Sequence, residues 1–289
     1  MSILLSGETS VLVQGITGNI GSFQTAVMQE YGTNVVAGVT PGKGGEETSG
    51  IPVYDFVSEA VGRHEVDAAI SYVPSKFARD AALEAIDAGI KFIVMTAEGV
   101  PVRDMMAVLN HAEGRGATVL GPDTPGLISP GKSKLGVHPD RMTAEGDVGV
   151  LSRSGALSYE ICKSLTEKGI GQSTVVGIGG GPLWGMTQVD VLKLFEEDPE
   201  TKVIVLAGEV GGSMEQKAAE YIDGEMTKPV VSIVVGRSAP AGKRLGHAGA
   251  IVEGNAGRAA DKIDVLSSAG AKIGRSPGEV AKIVDQLRG

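Results

Sequence analysis

VLVQGITGNIG, residues 11–21, is a short β-branched run from Val11 to Gln14 that breaks at Gly15, Gly18 and Gly21 and continues in a helical pattern. Strand, glycine turn and helix in that order open a parallel α/β sheet. The free N–H groups of the helix then meet the carboxyl edge of the strands, where phosphates bind. The spacing is GxxGxxG, whereas the dinucleotide fingerprint is GxGxxG, so Ile16 and Thr17 stand where backbone would have to approach a pyrophosphate. The second strand, Asn34 to Thr40, lacks the acid that would hold a ribose 2′-hydroxyl and runs instead into Pro41, Gly42, Lys43, Gly44 and Gly45. An NAD-dependent oxidoreductase is therefore disfavoured. A glycine-rich loop with one lysine suits a phosphorylated ligand such as coenzyme A, and the same residues also admit a plain tight turn with a solvated lysine.

Outward from this stretch the pattern repeats. Ala68 to Val73, Lys91 to Met95 and Ala117 to Gly121 read as strands, separated by helices Lys76 to Ala88 and Val102 to Arg115 that end at Gly89 and Gly116. A second series holds strands Val148 to Leu151, Ser173 to Ile178, Val203 to Ala207, Val230 to Val235 and Ala271 to Ile273. Its helices are Gly155 to Lys168, Thr187 to Glu196, Met214 to Asp223 and one from Ser276. The weakly periodic stretch between the series is rich in Pro, Gly and Ser, which predicts two doubly wound α/β domains, 1–125 and 147–289, with 126–146 as linker. A length of 289 residues suits two domains. The net charge of −9 argues against a general binder of nucleic acid or acidic membrane. The single cysteine, Cys162, excludes an intramolecular disulfide framework and CxxC sites, and with no apolar stretch near ~20 residues a cytoplasmic protein is expected, or an organelle-matrix one if processed.

Two motif matches fail on context. Gly126, Gly131, Lys132 and Ser133 fit GxxxxGK[ST], but Gly136 and Pro139 break the helix a P-loop needs. Gly274, Ser276 and Gly278 fit GxSxG, but no histidine follows, and Pro277 and Glu279 make Ser276 an N-cap in a capping box. Among four histidines, His64, His111 and His138 lack metal-ligand spacing and read as surface or helix-end residues; no metal site is expected on this chain. His247 stands apart, in a basic loop carrying Lys243 and Arg244 and flanked by small residues that leave the ring accessible. Ser152, Arg153, Ser154 and Gly155 open a helix that can receive an anion, and Glu209, before Gly211 and Gly212, brings a carboxylate to the same sheet edge. A carboxylate on one ring nitrogen fixes the tautomer and leaves the other nucleophilic, so these three features together suit a phosphohistidine site.

VQGITGNIG (13–21), GVTPGKGG (38–45), LSRSGALSYE (151–160), GEVGGS (208–213) and GKRLGHAGAIV (242–252) together resemble the α subunit of succinyl-CoA synthetase over essentially the whole chain. The resemblance implies a Rossmann-like CoA-binding domain followed by a flavodoxin-like ligase domain. It implies that Thr17, Gly18, Asn19, Ile20, Lys43, Thr96, Ala97 and Glu98 bind coenzyme A and that His247 is phosphorylated. Glu209 would orient His247, Ser154 and Gly155 would hold its phosphate, and Tyr159 would face the substrate site. It further implies an ATP-grasp β subunit, in an αβ or α2β2 assembly, that carries the nucleoside triphosphate and Mg2+, and a small carboxylic acid, most simply succinate, converted through an acyl phosphate. Asp123 stands where the family commonly has Asn, Gly181 where it has Asp, and Ala97 where it has Thr; Trp184 follows closely. Malate or another small acid, and a CoA-binding protein without catalysis, are the alternatives these departures raise.

Overall fold

The computed structural model describes residues 3–238, 246–252 and 257–288. The first series forms β1 (Ser10–Gln14), α1 (Asn19–Glu30), β2 (Asn34–Val39), β3 (Glu47–Thr48), β4 (Ile51–Tyr54), α2 (Val57–Val61), β5 (Ala68–Ser71), α3 (Ser75–Asp87), β6 (Phe92–Met95), α4 (Val102–Arg115) and β7 (Thr118–Leu120). The second forms β8 (Gly126–Ser129), β9 (Ser133–Gly136), β10 (Glu145–Ser152), α5 (Gly155–Thr166), β11 (Gln172–Gly177), α6 (Gln188–Glu197), β12 (Val203–Glu209), α7 (Met214–Glu225), β13 (Val230–Val235), α8 (Ala259–Ser268), β14 (Lys272–Ile273) and α9 (Pro277–Arg288).

The strands make two sheets, ordered β3-β4-β2-β1-β5-β6-β7 and β14-β13-β12-β10-β11-β8-β9. Strand order reverses at β1, which lies between β2 and β5, and at β10, which lies between β11 and β12, all in parallel pairings. In open α/β sheets the crevice at such a reversal is where ligands bind. Both candidate sites therefore have their places set by topology.

Central strands are apolar on both faces, and the alternation divides them between cores. Leu12, Ala69 and Ile93 pack under Ala78, Ala82, Ile86, Met105 and Val108 of α3 and α4. Their neighbours Val11, Val13, Ile70 and Val94 belong to a cluster that continues through Leu127, Leu135, Leu151, Ile204 and Leu206 of the second sheet. A third cluster seats α5 and α9 on the other face through Ile161, Cys162, Leu165, Val280 and Val284. The two sheets thus share an apolar junction.

Residues 126–146, expected as a linker, differ from that expectation. β8 pairs antiparallel with β11, and β9 with β8, so the segment extends the second sheet. Its Leu127, Ile128 and Leu135 are fully buried, which explains why glycine-rich sequence is nevertheless held in a hairpin. Helix α8 and the β3–β4 hairpin, neither expected, complete the sheets' surroundings. Lys132 lies in the β8–β9 turn region and pairs with Glu200 at 2.5 Å, in no P-loop context. The Ser276 N-cap is present, with Glu279 N–H donating to Ser276 Oγ at 3.2 Å, although the Glu279 carboxylate reaches Arg275 N–H instead of closing the capping box. No helix among the described residues is long and apolar enough to cross a membrane.

Candidate active site

At the first reversal, a cleft of about 700 Å³ opens over β1, lined by Gly15, Thr17, Gly18, Thr40, Pro41, Phe56, Tyr72 and Phe77 among others. Helix α1 begins above it with Gly18 as N-cap and no side-chain cap, so its first turn presents backbone N–H groups to whatever enters. Gly21 allows this geometry: a Cβ there would lie 2.1 Å from the carbonyl oxygen of Gly15. The slot is largely apolar, with the exposed phenylalanines Phe56 and Phe77 among its walls and Asp80 and Glu84 as its charged residues, so an anionic group entering it is met by the first turn of α1 and not by a side-chain cation. Of the expected coenzyme A residues, Thr17 and Gly18 line this cleft, and Asn19 and Ile20 form the first turn of α1. Lys43 is half-exposed and paired with Glu46 at 2.9 Å. Thr96, Ala97 and Glu98 follow β6 at the same sheet edge, with Thr96 Oγ1 donating to the Ser71 carbonyl at 2.7 Å.

The second site stands at the other reversal. β12 ends in Glu209, β10 in Ser152, and His247 meets them through Nδ1, 2.8 Å from Glu209 Oε2. The imidazole fits only because Gly180 lacks a side chain; a Cβ there would lie 2.3 Å from His247 Cγ. The turn carrying the ring is tied down by Ala250 N–H donating to the His247 carbonyl and Gly249 N–H donating to that of Gly180, both at 3.1 Å. With Glu209 on Nδ1, Nε2 is the nitrogen left for chemistry, and 29% of the side chain faces solvent.

The hydrogen bond from Glu209 raises the pKa of His247; burial opposes it, the charges of Glu209 and Asp123 add to it, and Arg153 works against it. Asp123 is itself pushed up, first by burial and then by Glu98 and Glu209, while His247 and the Gly180 N–H pull it down. Its backbone is left-handed at φ 59°, and its N–H donates to the Ala97 carbonyl at 3.0 Å. Residues 96–98 are thereby joined to the histidine site.

Beneath Glu209 lies a buried set of charges that sequence reasoning did not assemble. Arg153, with no exposed side-chain area, faces Glu209 Oε1 at 3.2 Å without hydrogen-bond alignment. Its Nη1 donates to the Gly211 carbonyl at 3.1 Å and lies 3.4 Å from Glu215 Oε1, while Trp184 stacks on the guanidinium at 4.9 Å. Lys262 of α8 completes the set against Glu215. A charged residue in the apolar stripe of Ala259, Lys262 and Leu266 was the signal available for it, and Glu215, in the first turn of α7, was the signal for its partner.

Ser154 caps α5, accepting from Leu157 N–H at 3.4 Å, and Gly155 is its first residue, so both stand at a helix N-terminus beside Arg153. Tyr159 packs edge-on against His138 at 5.4 Å, and burial raises the pKa of its hydroxyl. His138 is not a surface residue: it is 1% exposed, its Nε2 bonds the Gly126 carbonyl at 3.1 Å, and burial lowers its pKa to about 4. His64 bonds Tyr54 and His111 bonds Asp87, each at 2.8 Å. Lys243 and Arg244 of the basic loop lie outside the described residues.

The CoA binding domain family matches residues 6–99 and the CoA-ligase family residues 151–271. The chain is 54% identical to subunit alpha 1 of the ADP-forming succinate–CoA ligase of Archaeoglobus fulgidus, covering 99% of this chain and 98% of that protein. To the corresponding alpha subunit of Aquifex aeolicus it is 48% identical, covering 99% and 95%. The solved structure of ATP citrate lyase from Methanothrix soehngenii, in complex with citrate and coenzyme A, superposes with a TM-score of 0.88 at 26% identity over 99% of this chain. This chain spans 50% of that lyase chain. Two family matches in order, and near-half identity or better over almost the full length, place the chain in the succinate–CoA ligase α-subunit family.

Proposed function

We propose that this α subunit works with an ATP-grasp β subunit to join succinate to coenzyme A, with His247 carrying the phosphoryl group between nucleotide and acid. The observation that carries the reading is the 2.8 Å contact of His247 Nδ1 with Glu209 Oε2, which leaves Nε2 as the nucleophile. Nε2 attacks the terminal phosphorus of the nucleoside triphosphate, the P–O bond to the leaving diphosphate breaks, and the positive charge arising on the ring is held by Glu209. A carboxylate oxygen then takes the phosphoryl group, returning the electron pair to Nε2. The CoA sulfur attacks the acyl carbon, phosphate leaves with both bonding electrons, and the thiol proton passes to the phosphate or solvent. The nucleotide and Mg2+ are assigned to the partner, in an αβ or α2β2 assembly.

Coenzyme A binding is assigned to Thr17, Gly18, Asn19, Ile20, Lys43 and the 96–98 loop, and the phosphate-holding helix to Ser154 and Gly155. Tyr159, in the second turn of that helix, is assigned to the acid side. The domain division falls near residue 125, with 126–146 belonging to the ligase domain on the strength of the β8–β11 pairing. The chemistry suits the cytoplasm, where a lone buried thiol stays reduced.

The test is to incubate the co-purified α and β chains with γ-labelled ATP and map acid-labile, base-stable phosphate. Label on His247 that succinate plus CoA discharges is the expected result. Label absent from His247, with CoA still bound, would favour a binding protein. Asp123 beside His247 favours comparing malate and acetate with succinate, and faster discharge by either would reassign the acid.

A further inference from the structure

We infer that Lys262 and Glu215 form a buried positioning pair that fixes the backbone of Glu209, and through Glu209 the reactivity of His247. This inference rests on the phosphohistidine reading. The ammonium of Lys262 has three donors, and three acceptors surround it: the carbonyls of Glu209 at 2.8 Å and Gly211 at 2.6 Å, and Glu215 Oε2. Glu215 Oε1 in turn accepts from the Glu209 N–H at 3.2 Å and from Gln188 Nε2 at 3.3 Å. The N–H and the C=O of Glu209 are thus each held by one member of the same ion pair. Strand hydrogen bonding to β13 ends at this point, since Glu209 opposite Val235 is the last paired residue. Past Glu209 the chain leaves the strand through buried Val210 and two glycines with left-handed φ, Gly211 and Gly212, so the pair supplies the hydrogen bonds to Glu209 where the ladder stops.

The pair also balances charge. Lys262, Arg153, Glu209 and Glu215 are two cations and two anions, and all four are buried. Burying such a set costs more than a packed apolar substitute would, and it contributes most where it enforces one geometry. Here that geometry is a carboxylate with one oxygen toward Arg153 and the other toward the ring. The charged groups acting on His247 are Glu209 from β12, Asp123 from the loop after β7 and Arg153 from the loop after β10. Those acting on Lys262 are Glu215 from α7, Arg153 and Glu209. Removing the Lys262 cation leaves the cluster net negative, which stabilises the protonated imidazole. The sign follows: protonated His247 is not a nucleophile, so the acid limb of its phosphorylation moves to higher pH.

The experiment measures the initial rate of His247 labelling by γ-labelled ATP against pH, on the co-purified α and β chains, for wild type, Lys262→Met, and Lys262→Met combined with Glu215→Gln. Lys262→Met is expected to move the acid limb up by roughly one pH unit and to slow labelling on the plateau about tenfold or more. The double variant leaves no lone buried charge, so it keeps the test decisive where the single variant does not fold. Its limb is expected near that of wild type, with the plateau still slow because the Lys262 bonds to the two carbonyls are gone. Coenzyme A affinity, read by calorimetry, is expected unchanged in both. A folded variant with wild-type limb and plateau would overturn the positioning role alone. No label on wild-type His247 would overturn it together with the reading beneath it.

Discussion

Glu209→Gln isolates the contribution of one charge at one atom. The amide keeps an oxygen able to accept from His247 Nδ1–H, so the tautomer survives, while the charge 2.8 Å from that nitrogen disappears. Charge-assisted hydrogen bonds are about twice as strong as neutral ones, about 1.5–3 against ~1 kcal/mol. The difference, with solvent screening of a ring that is 29% exposed, is expected to be about 1–1.5 kcal/mol, or roughly one pH unit. The wild-type ring has its pKa raised, chiefly by Glu209, so the substitution lowers it and moves the acid limb of labelling to lower pH. Above the limb, the plateau rate is expected to fall about tenfold, because the ring charge created by phosphoryl transfer loses its counter-charge. Arg153 also loses a partner but keeps Glu215 and the Gly211 carbonyl, so the melting temperature is expected to drop by only a few degrees, about 1–2 kcal/mol. The assay is quench-flow labelling of His247 from pH 5 to 9. An acid limb that stays put or moves upward would refute the assignment of Glu209 as the dominant influence on the ring.

Gly180→Ala is expected to cut His247 labelling about tenfold or more with coenzyme A affinity unchanged, since the added Cβ lies 2.3 Å from the ring and displaces it by a fraction of an ångström or more. Gly21→Ala is expected to act oppositely: the 2.1 Å approach to the Gly15 carbonyl distorts the first turn of α1, weakening coenzyme A binding in calorimetry and costing about 1–3 kcal/mol in denaturant melts. Cys162 is fully buried with its thiol pKa raised by burial, so an alkylating reagent is expected to leave it unmodified in native protein and to react fully in urea.

The alternation of strands and helices was legible because the parallel strands are short, β-branched and closed by glycines, and the elements found lie close to those expected. The 126–146 segment was not. Its strands are four residues each, β8 and β9, and their apolar residues are interrupted by the same glycines and prolines that mark loops elsewhere. Helix α8 escaped notice because Asp261, Lys262 and Asp264 blur its apolar stripe, and Lys262 is the residue whose burial gives that helix its role. Within the candidate site, His247 and Glu209 were readable from residue type and position, and the fold brings them together at 2.8 Å. The charges behind them were not: Arg153 pairs with Glu215 and Lys262 bonds Glu209 across gaps of 62 and 53 residues, and such distances in sequence carry no local signal.

Asp123 joins the loop after β6 to the histidine cluster, and its charge is expected to bear on the choice of acid. Its N–H holds the 96–98 loop at Ala97, and its carboxylate acts on His247 and is acted on by Glu98 and Glu209. An incoming carboxylate therefore approaches a ring flanked by negative groups, while Arg153, a cation acting on that ring, lies buried beneath Glu209 with its Nη1 on the Gly211 carbonyl and beside Glu215. Asp123→Asn keeps a residue type that tolerates left-handed φ and removes the charge alone. For a like-charge repulsion in a partly screened cleft the relief is about 0.5–1 kcal/mol, so KM for succinate should fall roughly two- to fivefold. The KM for coenzyme A is expected to hold, and the acid limb of His247 labelling should move down slightly, because Asp123 helps to raise that pKa. A dicarboxylate should gain more than acetate does, as its second charge feels the same field. If Asp123→Asn left the KM of succinate and acetate equally unchanged, the negative wall would have no part in selecting the acid.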